Sequence, residues 1–166
     1  MTRGRPGSQD PPTPDRSLRL ARRALHDQYF KQAKAEGYLA RSAYKLQQIQ
    51  ESKRILKRGN RVLDLGCAPG AWLQVAAEIV GPEGVVVGVD LQEVRHSIAP
   101  NVHTIVGDAY QIEPATLLGE SGALFHVVLS DMAPNTTGHG DDLVSARLCD
   151  RVLELLPRIL APGGNL

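Results

Sequence analysis

Aromatic residues are scarce: one Trp, two Phe and four Tyr, 4% of 166 residues. That leaves little material for an extended stacking surface. Cysteine is scarcer still. Cys67 and Cys149 lie far apart and form no C-x-x-C pair, which reads as two reduced thiols rather than a disulfide or a metal site. The five histidines, His26, His96, His103, His126 and His139, lack ligand spacing, so no zinc site is expected. No apolar run approaches the ~20 residues of a membrane span. The N-terminus is polar and proline-rich, without an apolar signal core, so a cytoplasmic chain is expected. What remains is ordinary globular composition, 42% apolar and 22% charged, with length for one domain.

The net charge of +1 conceals a strong division. Residues 1–61 hold fifteen Lys/Arg against five Asp/Glu, whereas residues 62–166 hold four against thirteen. A basic half beside an acidic half points to a polyanionic partner met by the first. The competing reading is a basic tail that solvates the chain or pairs with its acidic half. The basic residues continue into helical sequence, which favours the partner.

Residues 1–16 are rich in Pro, Gly and charge and are expected to be a disordered basic tail. Residues 17–60 read as a basic helical extension: one helix from Ser17 to about Glu36, broken at Gly37, and a second from a Ser42 cap to about Ile55. From Arg61 the texture alternates. Short apolar strands are expected at Arg61–Leu65, Val85–Asp90, His103–Val106 and Phe125–Ser130. Helices are expected at Trp72–Val80, Pro114–Leu118 and Asp141–Leu160, the last stopped by Ala161-Pro162-Gly163-Gly164 and capped by Asp141-Asp142. Such alternation indicates an α/β fold, a mostly parallel sheet covered by helices on both faces.

Asp64-Leu65-Gly66-Cys67-Ala68-Pro69-Gly70-Ala71-Trp72 follows the first strand, where a doubly wound sheet holds its nucleotide. Gly66 permits a sharp turn, and Gly70 lets a ligand approach the backbone. The spacing is G-x-x-x-G, without the third glycine of a dinucleotide fingerprint. Asp90 ends the second strand, where a carboxylate can accept both ribose hydroxyls of an adenosine. Asp108 ends the third, within reach of an adenine amino group. Asp at a strand end is also ordinary turn chemistry. Three acidic strand ends together favour an adenosine ligand over a structural loop.

The fourth strand ends in Ser130-Asp131-Met132-Ala133-Pro134-Asn135. With Asp64–Trp72 and Arg41-Ser42-Ala43-Tyr44-Lys45-Leu46, this resembles the FtsJ/RrmJ family of RNA ribose 2′-O-methyltransferases from about His26 onward. The resemblance implies a Rossmann-like methyltransferase fold, S-adenosylmethionine as donor and an RNA ribose hydroxyl as acceptor. It implies a catalytic Lys-Asp-Lys-Glu set in which Lys45 and Asp131 match the first two members. Donor-binding positions match Gly70, Trp72, Asp90, Asp108 and Asp131, beside Asp64 and Gly66 of the loop. Ala71 replaces the family's usual glycine, where its methyl could crowd the donor. The family's second Lys follows Pro-Gly-Gly and its Glu lies on a later strand. Residues 61–166 are therefore expected to form an incomplete domain, truncated before those residues and lacking C-terminal strands.

A ribose 2′-hydroxyl is a poor nucleophile until its proton leaves or the developing oxyanion is stabilised. A lysine base must be neutral, and a neighbouring carboxylate favours the ammonium form. Lys45 is thus read as a charge that orients the hydroxyl, and Asp131 as the group that orients lysine and faces the donor methyl. Alone, Lys45 would pass for a surface lysine, Asp131 for a turn residue and Trp72 for core. Arg22, Arg23, Lys31, Lys34, Arg41, Lys53, Arg54, Lys57 and Arg58 are candidate phosphate contacts, with Tyr29, Tyr38 and Tyr44 the few available stacking rings. The expectation is a monomer acting on RNA of the large ribosomal subunit, without metal or membrane. Open alternatives are a transfer-RNA methyltransferase, a catalytically incomplete RNA- or donor-binding module, and a small-molecule methyltransferase or dinucleotide enzyme.

Overall fold

The computed structural model describes residues 31–132 and 141–166, with side chains of the last helix described from residue 146. After a helical turn at residues 31–35, the order is α1 (Ala43–Lys53), β1 (Arg61–Leu65), α2 (Ala71–Val80), β2 (Val85–Asp90), β3 (Val102–Val106), α3 (Pro114–Leu118), β4 (Phe125–Ser130), α4 (Asp141–Ile159) and β5 (Leu160–Asn165). The five strands form one sheet in the order β3-β2-β1-β4-β5, and every pairing is parallel. This is a doubly wound arrangement, with β1 at the centre and the ligand side at the strands' carboxyl ends.

The strands read as apolar runs because both faces are covered. Val62, Val86, Val127 and Leu129 pack under α1 and α2 with Leu46, Trp72, Leu73 and Val75. Leu63, Leu65, Val87, Val89 and Val128 pack on the other face with Leu117 of α3 and Val152, Leu155 and Ile159 of α4. Ala43 and Leu46 are wholly buried and Leu56 nearly so, in the same cluster as α2. The second half of the basic extension therefore shares the core of the sheet.

α1 begins after Ser42, whose side chain makes no capping bond, and stops at Lys53 with Arg54 in the left-handed region. The largest departure from expectation is at the far end. Ala161-Pro162-Gly163-Gly164, expected only to stop a helix, lies within β5 beside β4. The pairing is irregular: Phe125 partners Leu160 and Val127 partners Asn165, so the intervening residues bulge. Pro162 has no amide to donate to a ladder. Gly164 sits so close to β4 that an added Cβ would stand 2.8 Å from the carbonyl oxygen of His126. Pro157 in the last turn of α4 removes a helical donor, consistent with helix giving way to strand at Leu160.

Candidate active site

Strand register brings three chain segments level at one rim. Leu65 pairs with Val89 on one side and Ser130 on the other, so Gly66, Asp90 and Asp131 follow at the same height. The amides of Gly66 and Cys67 both donate to the carbonyl of Val89, at 2.8 and 3.2 Å, turning the chain sharply. The Asp90 carboxylate then braces the turn. Its Oδ2 accepts from the amide of Ala68 at 2.9 Å and its Oδ1 from the amide of Gln92 at 2.8 Å. Asp108 similarly accepts from the amide of Tyr110 at 2.9 Å. Asp90 thus ties its own loop to the loop after β1, and Asp108 holds its own loop through Tyr110 and Gln111; each carboxylate keeps further acceptor capacity.

The two loop glycines are required by the protein itself. Gly66 has φ +84° and Gly70 φ +112°. A Cβ on Gly66 would lie 2.6 Å from Cγ of Met132; one on Gly70 would lie 2.7 Å from Ile98, 3.1 Å from Val94 and 3.2 Å from Leu39. The close approach expected of a ligand at Gly70 is, on its Cβ side, made by these three side chains. Ala71, where the resemblance led to an expected glycine, is 1% exposed and packs in the α1/α2 core.

Lys45 of α1 and Asp131 after β4 meet at this rim. The Lys45 ammonium hydrogen-bonds Oδ1 of Asp131, and both side chains remain about half exposed. The same ammonium lies 5.6 Å from the ring centroid of Trp72, whose indole N–H donates to the carbonyl of Ser42 at 2.8 Å. Trp72 is thus core on one side and a platform for Lys45 on the other.

Asp64 lies two residues below Gly66 on the central strand. It is 1% exposed, the only buried charged residue among those described, and neither carboxylate oxygen has a hydrogen-bond partner. Burial, with Asp131 and Asp90 adding repulsion, pushes its pKa up to about 8. A buried carboxylate without a partner is costly unless neutral or faced by a cation. Further along the rim, Ala68 and Pro69 of the loop after β1 and Gln92, Glu93, Arg95 and His96 after β2 line an open cleft of about 540 Å³.

The phosphate-contact candidates fall into two groups. Lys31, Lys34 and Arg41 are exposed on the chain preceding α1, and Lys53 at its last residue and Arg54, Lys57 and Arg58 just beyond it are exposed at its other end. Eight residues separate Lys45 from Lys53, about 12 Å along a helix. The Arg58 guanidinium also lies against Gly81 at the end of α2, where the helix dipole favours a cation. Arg22, Arg23, Tyr29, Ala133–Asn135, His139 and the side chains of Asp141 and Asp142 lie outside the described residues. Among those described, no group of three or more His, Cys, Asp or Glu could hold a metal, Cys67 and Cys149 are free, and no helix is long and apolar enough to cross a membrane.

Sequence reasoning missed Gln74, which holds the chain before α1 against α2 through the amide of Leu39 and the carbonyl of Gly37. A signal existed. Gln74 and Glu78 are the only polar positions in an otherwise apolar α2, spaced to share one face.

A parallel doubly wound sheet with an acidic rim, a glycine-bearing loop after its central strand and a lysine–aspartate pair beside that loop defines a Rossmann-like nucleotide-binding enzyme class. Comparison narrows the class. Residues 38–166 match the model of the FtsJ-like methyltransferase family. The chain is 52% identical to the ribosomal RNA large subunit methyltransferase E of Syntrophobacter fumaroxidans, over 85% of this chain and 73% of that protein. It is 44% identical to the protein of the same name from Desulfatibacillum aliphaticivorans, over 90% and 73%. A ribosomal RNA methyltransferase of Plasmodium falciparum superposes with a TM-score of 0.66 at 26% identity, covering 76% of this chain and 75% of that one. The chain belongs to the FtsJ-like methyltransferase family.

Proposed function

We propose that the protein transfers a methyl group from S-adenosylmethionine to a ribose 2′-hydroxyl of RNA, a uridine of the large ribosomal subunit, acting as a cytoplasmic monomer. The observation that carries this reading is the Lys45–Asp131 pair at the rim of the donor loop. The donor supplies an electrophilic methyl on a sulfonium and, with its ammonium, two positive charges.

The residues present fit such a ligand. Asp64 offers a buried carboxylate with no partner of its own, and Asp90, Asp108 and Asp131 add further acceptors along three strand ends. On this reading Asp90 would accept ribose hydroxyls through the lone pairs its two loop amides leave, and Asp108 an adenine amino group. The backbone of Gly66 and Gly70 shapes the loop between them, and Trp72 supports the acceptor side. Lys45, an ammonium held between a carboxylate and an indole face, orients the 2′-hydroxyl and stabilises negative charge as it develops on oxygen. Holding acceptor and methyl in line supplies the larger share of the rate, up to ~7–11 kcal/mol in well-oriented systems.

Lys45→Ala and Asp131→Ala are each expected to slow methyl transfer to ribosomal RNA by about 10²–10³-fold, the scale of removing one preorganised charged group. Tritium transfer from labelled donor to large-subunit RNA, in the full-length protein, measures this. Unchanged turnover in both variants would remove the roles assigned here. Transfer confined to transfer RNA would move the substrate while leaving the chemistry in place.

A further inference from the structure

α2 leaves the donor loop directly, and its two polar side chains both reach back to the chain that leads into α1. Gln74 makes a two-point contact with main chain. Its Oε1 accepts from the amide of Leu39 at 2.8 Å, and its Nε2 donates to the carbonyl of Gly37 at 3.0 Å. One turn further on, Glu78 accepts from the Tyr38 hydroxyl at 3.0 Å, and that hydroxyl accepts from Gln47 at 2.8 Å. The docked segment touches the donor loop itself, since Leu39 fills space that a side chain on Gly70 would take. Six residues after Leu39 stands Lys45. The intervening turn is closed by backbone bonds from Ala43 to Ala40 and Lys45 to Ser42, and pinned by Trp72 at Ser42.

We propose that Gln74 is a positioning residue for methyl transfer: by docking Gly37 and Leu39 onto α2, its amide sets where Lys45 meets Asp131. The inference rests on the methyl-transfer reading and adds to it a mechanical link. One helix carries the donor loop at its start and the bracket for the acceptor-side lysine one turn later, so the two halves of the reaction share a rigid element. A side-chain amide suits this task because it presents one acceptor and one donor side by side, the pattern an extended backbone offers to a neighbouring strand.

Trp72 is the only tryptophan in the chain, so its emission reports on the docked segment independently of activity. In the full-length protein, Gln74→Ala is expected to shift Trp72 emission to longer wavelength and admit a quencher. Its kcat should fall by about 10²-fold, as a displacement near 1 Å can cause, while donor affinity by calorimetry falls far less, because Val94 and Ile98 still pack against Gly70. Gln74→Glu supplies a second test. A neutral carboxylic acid offers the same acceptor and donor as the amide, and a carboxylate does not. The kcat of Gln74→Glu relative to wild type should therefore rise as pH falls. A wild-type protein that transfers no methyl overturns the methyl-transfer reading and this inference with it. An active wild type whose Gln74→Ala variant keeps both kcat and Trp72 emission overturns the inference alone. So does a variant that loses donor affinity in step with kcat, because Gln74 would then serve the loop and not Lys45.

Discussion

Asp64 shows how much one side chain can be asked to bear. Its neighbours Leu63 and Leu65 point to the α3/α4 face, so alternation along β1 turns Asp64 toward α1 and α2. There it is fully enclosed and without a partner. Desolvation, reinforced by Asp131 and Asp90, raises its pKa from the ordinary carboxylate range to about 8. In the unfolded chain the group titrates near 4, so across pH ~4 to ~8 the folded state binds the extra proton. Stability is fully retained below that window and is lost as pH rises through it. One such group contributes a slope approaching ~1.4 kcal/mol per pH unit. Replacement by Asn removes the titration. Denaturant unfolding at a series of pH values should show wild type falling from pH 5 to 8 more steeply than Asp64→Asn. Parallel curves would mean that Asp64 has a partner or solvent access in solution. The same residue gives the donor a pH signature. A cation bound beside Asp64 favours the carboxylate, so donor binding at pH 7 should release a proton, seen as a buffer-dependent heat in calorimetry and absent from Asp64→Asn.

At the level of elements, strands were easier to read than their terminations. Val85–Asp90 and Phe125–Ser130 are apolar runs bounded by turn residues, and β2 and β4 occupy those bounds. The expected start of the third strand at His103 differs by one residue from Val102. Pro162-Gly163-Gly164 misled because Pro and Gly announce a break in helix but say nothing of a strand that resumes through a bulge. Only the proximity of Gly164 to β4, a tertiary fact, shows why glycine stands there. Gly70 is a similar case. Its need for glycine was legible, but the side chains that impose it, Leu39, Val94 and Ile98, come from two other segments. Gly70→Ala would place a side chain in left-handed backbone and against all three. It is expected to destabilise the protein by ~1–3 kcal/mol and to loosen the start of α2. Urea unfolding checks the first effect. Donor titration, expected to show weaker binding than wild type, checks the second.

Over the whole molecule, the charge division read from sequence becomes a spatial one. The acidic residues that matter gather at the carboxyl rim of the sheet. The described basic residues of the first half run along the chain around α1, from Lys31 and Lys34 to Arg58, while Arg95 lines the cleft beside the loop after β1. Lys45 is where the two fields touch, and Asp131 is its partner. That meeting was legible because each residue lay in a distinctive motif; Gln74 stood out only as a polar position on an apolar helix, because its partners are main-chain atoms and leave no trace in residue type. Lys53, which opens the basic group at the far end of α1, lies about 12 Å from Lys45 by helical rise, too far to act on the reacting hydroxyl. On the proposed function the group would hold the flanking RNA backbone without reading sequence. Replacing Lys53, Arg54, Lys57 and Arg58 together with Gln should weaken RNA binding at low salt. It should also flatten the dependence of log K on log salt by roughly 0.7 for each phosphate of single-stranded RNA that is no longer neutralised. The maximal rate at saturating RNA should stay close to wild type, because Lys45, Asp131 and the donor loop are untouched. Binding titrations at several salt concentrations, paired with methyl transfer at saturation, separate these effects. An unchanged salt slope would place the RNA elsewhere on the protein, whereas a slope and a maximal rate that fall together would tie this distant cluster to the geometry of the site.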